Sequence, residues 1–243
     1  MLYSAKDTDK IFQMVMGWDV DGVIAISFSK SNCEKIYQLI NKPIVSIDAY
    51  GELDAGQENH VLNIGLDDES GGYLMTKYLL ECGYEHIQVC AGRDNGVDHF
   101  RYMGAQRAAK EFAGKKQKVQ FTALGMNYAK RKESYAWLIQ RKKPKTALFF
   151  LSDLYALEAI SFFSSRGVKI PEKIGIAGYD NISYAEFSVP RLTTISQNVE
   201  QKASLAVEIL MERINGVEKE RENEIELPVT LIPRKSVQPQ DEN

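Results

Sequence analysis
The residues best placed to do chemistry cluster in the stretch Gly175 to Gln197, GIAGYDNISYAEFSVPRLTTISQ. A short apolar strand, Ile174 to Ala177, runs into Gly178 and then presents a carboxylate, Asp180. A strand ending this way places a hydrogen-bond acceptor at its carboxyl end, where open α/β sheets collect ligands. On spacing alone, Asp180-Asn181 equally suits a turn whose side chains cap backbone amides. A second candidate, Arg101, falls one turn inside a helix expected from about Val97 to Phe112, near the same rim of strand-end loops; the alternative is a solvated surface arginine. Reactive chemistry is poorly supplied. Cys33, Cys82 and Cys90 are an odd set at spacings that fit neither a zinc site nor a disulfide framework, and read as buried thiols. Cys90 and His99 would make a nucleophile and base only with a third orienting group, which the sequence does not signal. Gly92-Arg93-Asp94-Asn95-Gly96 matches neither the dinucleotide fingerprint nor the lysine-bearing P-loop. No nucleophile with its base, metal set or phosphate loop remains, so the sequence points to binding without turnover and implies no cofactor.

Alternating helices and strands must position these residues. Val23 to Ile26, Ile44 to Asp48, His60 to Ile64, His86 to Ala91, Val119 to Leu124 and Thr146 to Leu151 read as strands, several of them continuously apolar. Between them lie helices from about Asn32 to Ile40, from Leu66-Asp67-Asp68 to Cys82, Val97 to Phe112, Ala129 to Gln140 and Leu154 to Arg166. The acidic residues at the second helix start favour its dipole. Before the first strand, Met1-Leu2-Tyr3 reads as the end of a strand and Thr8 to Trp18 as a helix. After the Asp180 stretch come a helix from Val199 to Ile214 and a last strand from about Ile225 to Pro233. The pattern is that of an α/β protein with parallel sheets covered on both faces.

At 243 residues, with 44% hydrophobic and 26% charged residues, the chain suits one large α/β domain or two lobes. A net charge of −3 gives no bulk electrostatic reason for nucleic-acid or membrane binding by these residues. No charged segment followed by an apolar core opens the chain, and no apolar run approaches the ~20 residues of a membrane span, so a cytoplasmic location is expected.

Taken together, the chain resembles the effector-binding core of LacI/GalR-family transcription regulators, whose fold is shared with periplasmic sugar-binding proteins. The resemblance is carried in order by DGVI at Asp21 to Ile24, PIVSID at Pro43 to Asp48, DDESGG at Asp67 to Gly72, LLECGYEHI at Leu79 to Ile87 and RYMG at Arg101 to Gly104. It continues with SDLYALEA at Ser152 to Ala159, VKIPEKIGIAGYDN at Val168 to Asn181, PRLTTISQ at Pro190 to Gln197 and LPVTLIPRKS at Leu227 to Ser236. It implies two Rossmann-like lobes joined by three crossovers near Gly65, Thr194 to Ser196 and Glu226 to Leu227. The first lobe, here incomplete, would comprise residues 1–65 and 196–226, the second residues 66–195 and 227–238, with 239–243 a tail.

The same resemblance places effector contacts at Arg101 and Asp180, with Ser152, Gln197 and, from the first lobe, Asp48. Tyr128 would supply an aromatic face for the effector, or Ala129 would take its place in a register shifted by one. Leu157 falls where the family dimerises. Relative to the family pattern, a helix-turn-helix head and a first β-α-β unit are absent, so operator DNA would be bound only through a head outside these residues. The expected function is effector sensing by a repressor, a homodimer that binds a small sugar or related metabolite in an interlobe cleft. A periplasmic sugar-binding protein of a transport system is the alternative.

Overall fold
The computed structural model of the chain describes residues 14, 17, 19–94, 96–112, 117–217 and 219–239. In chain order its elements are β1 (Val23–Ile26), α1 (Lys30–Ile40), β2 (Ile44–Ile47), β3 (Leu62–Leu66), α2 (Asp68–Glu81), β4 (His86–Ala91), α3 (Val97–Glu111), β5 (Lys118–Ala123) and α4 (Tyr128–Arg141). There follow β6 (Thr146–Phe150), α5 (Asp153–Ser164), β7 (Gly175–Ala177), α6 (Ser183–Phe187), β8 (Thr194–Ser196), α7 (Val199–Ile214), β9 (Glu224–Leu227) and β10 (Thr230–Ile232). The chain divides into two compact units, residues 1–66 with 198–227 and residues 67–197 with 228–243.

The first unit is built on a parallel sheet in the order β1-β2-β3-β9. Every residue of β2 is buried, as a strand covered on both faces requires. Helix α1 starts where Ser29 Oγ accepts from the Asn32 amide, and stops at Asn41 in the left-handed region, a residue type that tolerates it. Its apolar side, Cys33 and Ile36, packs with Ala25, Ile44 and Val61. Glu34, fully buried on the same helix, is compensated by His60, whose backbone amide and ring nitrogen lie 3.1 and 2.5 Å from its oxygens.

The second unit holds a parallel sheet in the order β5-β4-β6-β7 and the antiparallel pair β10-β8. On one face, Tyr135 meets the rings of Phe150, Phe162 and Phe163 at centroid distances of 5.7 to 6.2 Å. On the other, α2 and α3 cross backbone to backbone. A Cβ on Gly72 would lie 1.8 Å from the Arg101 carbonyl oxygen, and one on Gly104 would lie 1.8 Å from that of Glu69. Only glycine fits at both points of the crossing, which fixes where along α2 the Arg101 side chain emerges.

The structure departs from the sequence expectations at several points. The last strand is two: β9 joins the first unit beside β3, β10 joins the second beside β8, and Pro228, which has no amide to donate to a ladder, stands between them. The loop after Asp180 contains the short helix α6, and β3 begins at Leu62 rather than His60. Ser196 and Gln197 belong to the second unit, not the first, because β8 pairs with β10 and Gln197 reaches Asp180. Residues 66 and 227 fall in the first unit, where Leu66 and Leu227 are paired strand partners. The strand at Met1 to Tyr3 lies outside the described residues, as does the helix from Thr8 to Trp18 apart from Met14 and Gly17.

Candidate ligand-binding site
Four of the expected contact residues meet at the carboxyl ends of the second unit's strands. Arg101 approaches from α3 and is only 7% exposed. Its Nε donates to Asp68 Oδ1 at 2.8 Å, its Nη1 donates to the Leu151 carbonyl at 2.9 Å, and its Cζ sits 3.7 Å from the centroid of the Tyr179 ring. The carboxylate, the carbonyl and the aromatic face hold the guanidinium in one plane. Burial works against its charge, but Asp68, Tyr179 and Asp180 outweigh it and raise the pKa above the ordinary arginine value. Nη2 has no hydrogen-bond partner among the described residues, so a buried, oriented donor is left for a ligand.

Asp180 follows β7 and Tyr179. Its φ of 119°, followed by 54° at Asn181, puts two consecutive non-glycine residues in the region that disfavours L side chains. At Asp180 such backbone costs on the order of 1–3 kcal/mol, less at Asn181, a residue type that tolerates the left-handed region, and it persists where the surroundings over-determine it. Here the Asp180 amide donates to the Ile195 carbonyl at 2.9 Å, and the Arg234 guanidinium donates to Asn181 Oδ1 at 2.8 Å. The carboxylate is fixed from both sides: Ser152 Oγ donates to Oδ2 at 3.1 Å and Gln197 Nε2 donates to Oδ1 at 2.5 Å. Burial pushes the Asp180 pKa up; Arg101 and these two donors act in the opposite direction. Arg101 and Asp180 make no direct hydrogen bond, and each oxygen of Asp180 retains acceptor capacity.

A second carboxylate, Asp153, ties the loop to α5. It is fully buried, accepting from Thr194 Oγ1 at 2.6 Å and from the Ile182 amide at 2.9 Å. Its Oδ1 would lie 2.1 Å from a Cβ on Gly178, so the glycine of GYD makes room for it. Burial, with the Asp180 charge adding, pushes the Asp153 carboxyl up to about 7, against the pull of its hydrogen bonds.

Among the described residues, no hydrogen bond or ion pair joins the remaining candidates to this group. Tyr128 begins α4 after β5, half exposed, with Lys132 Nζ 5.0 Å from its ring centroid; Ala129 follows it in the same helical turn. Asp48 stands after β2 in the first unit at φ 52°, its carboxylate 2.6 Å from Lys202 Nζ. Leu157, partly buried on α5, packs against the aromatic core of the second unit. On the same helix Ile160 and Phe163 are buried in that core, whereas Leu154 is exposed. Cys90 is fully buried, with Sγ directed at the Gln88 carbonyl, while His99 pairs with Asp94 at 2.9 Å. All three thiols have pKa values raised chiefly by burial.

Sequence reasoning missed Asp68, Tyr179 and Asp153 as parts of the site. Asp68 was legible only as an acidic residue at a helix start, a role that Asp67 fills by accepting from the Ser70 amide at 2.9 Å. A separate cavity of about 690 Å³ in the first unit is lined by Tyr37, His60, Glu212, Arg213 and Arg221. It opens at the amino ends of β2 and β3, and its Glu212 is already paired with Lys219 and Arg221. Among the described residues there is no group of metal-ligating side chains and no helix long and apolar enough to cross a membrane.

Residues 76–237 match the family model of the periplasmic binding protein-like domain. A relative in Pasteurella multocida, named HTH-type transcriptional repressor PurR, is 33% identical over 233 residues, 93% of this chain and 66% of its own. Its namesake in Haemophilus influenzae is 35% identical over 180 residues, 71% of this chain and 53% of its own. The chain thus spans about half to two thirds of the length of the curated relatives it matches. Among solved structures, a LacI family transcriptional regulator from Enterococcus faecium with bound ribose superposes at a TM-score of 0.83. It has 25% identity, over 99% of this chain and 88% of that one. A periplasmic binding protein/LacI transcriptional regulator from Alkaliphilus metalliredigens, complexed with D-xylulofuranose, gives 0.77 at 26% identity over 96% and 83%.

Proposed function
Because this chain belongs to the periplasmic binding protein-like domain family and is a LacI-family effector-binding core, we propose that it senses a small polyhydroxylated metabolite through the Arg101 and Asp180 rim of its second unit. The observation that carries this reading is the state of Arg101, a nearly buried guanidinium locked by three contacts yet keeping its Nη2 group unengaged in hydrogen bonds among the described residues. Beside it Asp180 offers a fixed acceptor, and the pair suits adjacent hydroxyls, one accepting from arginine and one donating to aspartate. The relatives named as ribose- and xylulose-bound regulators support a sugar as the ligand class. Ser152 and Gln197 hold Asp180 and stand close enough to contact the same ligand, and Tyr128, after the opposite edge strand β5, offers an aromatic face at the same carboxyl end of the sheet.

In the intact regulator the effector would bias a dimer's affinity for operator DNA, with binding free energy differing between the two states. The dimer surface would use Leu154 and Leu157 of α5 together with the exposed Tyr184 and Phe187 of α6, both helices packing on one core cluster. A cytoplasmic site of action follows from that role. Calorimetric titration with ribose, D-xylulose, cellobiose, ribose 5-phosphate and adenine tests the proposal. Saturable binding by at least one, lost in Arg101→Ala, is expected. Unchanged binding in that variant would place the ligand elsewhere.

A further inference from the structure
One carboxylate at this rim is left over. Asp98 lies in the first turn of α3, three residues before Arg101 and on the same helix face, and its side chain is 28% exposed. Among the described residues its one ionic partner is Arg101 Nη1 at 3.8 Å, too long for a hydrogen bond. No donor among the described residues hydrogen-bonds to it. A carboxylate serving only the helix dipole would be exposed and favoured in its charged form. Asp98 shows the reverse: burial, and the like charges of Asp68 on α2, Asp180 after β7 and Asp94 after β4, outweigh Arg101 and push its carboxyl up to about 6. The free protein therefore holds a largely desolvated, under-compensated acceptor within reach of the charge field of Arg101 and Asp180.

We infer that Asp98 is a further ligand-contacting side chain of this site, accepting a hydrogen bond from the effector and selecting neutral or cationic ligands over phosphorylated ones. This rests on the effector site proposed above. A ligand hydroxyl or amine supplies the donor that the protein withholds, whereas a phosphate ester brings a second anion against Asp98, Asp180 and Asp68, with one guanidinium to share among them. The group thus resembles other functional carboxylates in costing the free protein stability that is recovered on binding.

The test pairs affinity with stability in the wild type, Asp98→Asn and Asp94→Asn, the last altering an exposed carboxylate that already has His99 as a partner. Ribose, D-xylulose, cellobiose, adenine and ribose 5-phosphate are titrated by calorimetry, and melting temperature is followed from pH 5 to 8. We expect an uncharged member to bind the wild type at least tenfold more tightly than ribose 5-phosphate, to lose at least fivefold in Asp98→Asn, and to change less than twofold in Asp94→Asn. Without ligand, Asp98→Asn should melt higher than the wild type at pH 7.5, the gain shrinking towards pH 5 as Asp98 takes up its proton. Equal ligand affinity in Asp98→Asn, a lower melting temperature at pH 7.5, or a preference for ribose 5-phosphate would each overturn the inference while leaving the effector site standing. Binding by no member of the panel would overturn both.

Discussion

Asp68 Oδ1 receives two hydrogen bonds, from Arg101 Nε at 2.8 Å and from the Tyr179 hydroxyl at 3.2 Å, so one carboxylate on α2 positions both the guanidinium and the ring beneath it. Removing the charge with Asp68→Asn keeps the shape but replaces an ion-paired hydrogen bond, worth about 1.5–3 kcal/mol, by a weaker bond from the guanidinium to a neutral amide oxygen. Effector affinity is expected to fall about tenfold with the melting temperature little changed. Calorimetry and thermal melts on the same sample check this, and a large loss of stability with unaltered affinity would restrict Asp68 to a structural role.

The glycine crossing of α2 and α3 gives a steeper prediction. A methyl group on Gly104 would meet the Glu69 carbonyl and the Tyr73 amide, both backbone atoms that cannot rotate away. Gly104→Ala should therefore destabilise the second unit by about 1–3 kcal/mol or more, despite the better helix propensity of alanine. Denaturant unfolding measures it, and an unchanged midpoint would mean that the helices do not approach this closely in solution.

Stability should also depend on pH in an unusual sense. Asp98, Asp153 and Asp180 all have folded-state pKa values above the ordinary 3.8, the first two at about 6 and about 7. A carboxyl with a raised folded pKa binds its proton more tightly in the folded state. The resulting penalty is full above the folded value and relieved as pH falls towards the unfolded one. The ligand-free protein should accordingly melt at a higher temperature near pH 6 than near pH 8. A melting temperature flat or rising across that interval would contradict the burial of these carboxylates.

For assembly, Leu154→Lys and Leu157→Lys are expected to shift a dimer to monomer in sedimentation velocity at micromolar concentration. Leu157→Lys should also cost stability, because Leu157 touches the aromatic core, whereas Leu154 is exposed. No change in sedimentation from either variant would remove α5 from the interface.

Much of the fold was legible because buried parallel strands such as Ile44 to Ile47 and Thr146 to Phe150 are almost wholly apolar, each with one small hydroxyl residue, and are separated by helices of the right length. The split of the last strand was not read although Pro228 marks it, because the apolar alternation Ile225, Leu227, Val229, Leu231 continues across the proline, and the pairing of its halves with β3 and β8 reveals two elements. Among the candidate contacts, Asp180 and Arg101 were legible from strand-end and helix-start position and, with Ser152 and Gln197, from motif resemblance, and their grouping follows from strands that end on one side of the sheet. What could not be read were the partners from distant sequence. Asp68 meets Arg101 across 33 positions and Asp153 meets Thr194 across 41, and neither carboxylate differs in sequence from an ordinary helix-start acid.

The central claim is that Arg101 and Asp180 act together on one ligand. Each is held in place by other residues, so truncating either leaves the fold standing and removes one side of the grip. Loss of one partner also leaves the other charged group poorly compensated, so each of Arg101→Ala and Asp180→Ala should cost about 2–4 kcal/mol of binding. The most direct test is a double-mutant cycle by calorimetry with whichever panel ligand binds the wild type, circular dichroism confirming the fold of each variant. The account predicts that the double variant loses less than the sum of the two single losses, by about 0.5 kcal/mol or more. Near-wild-type affinity in either single variant, or strict additivity, would contradict it.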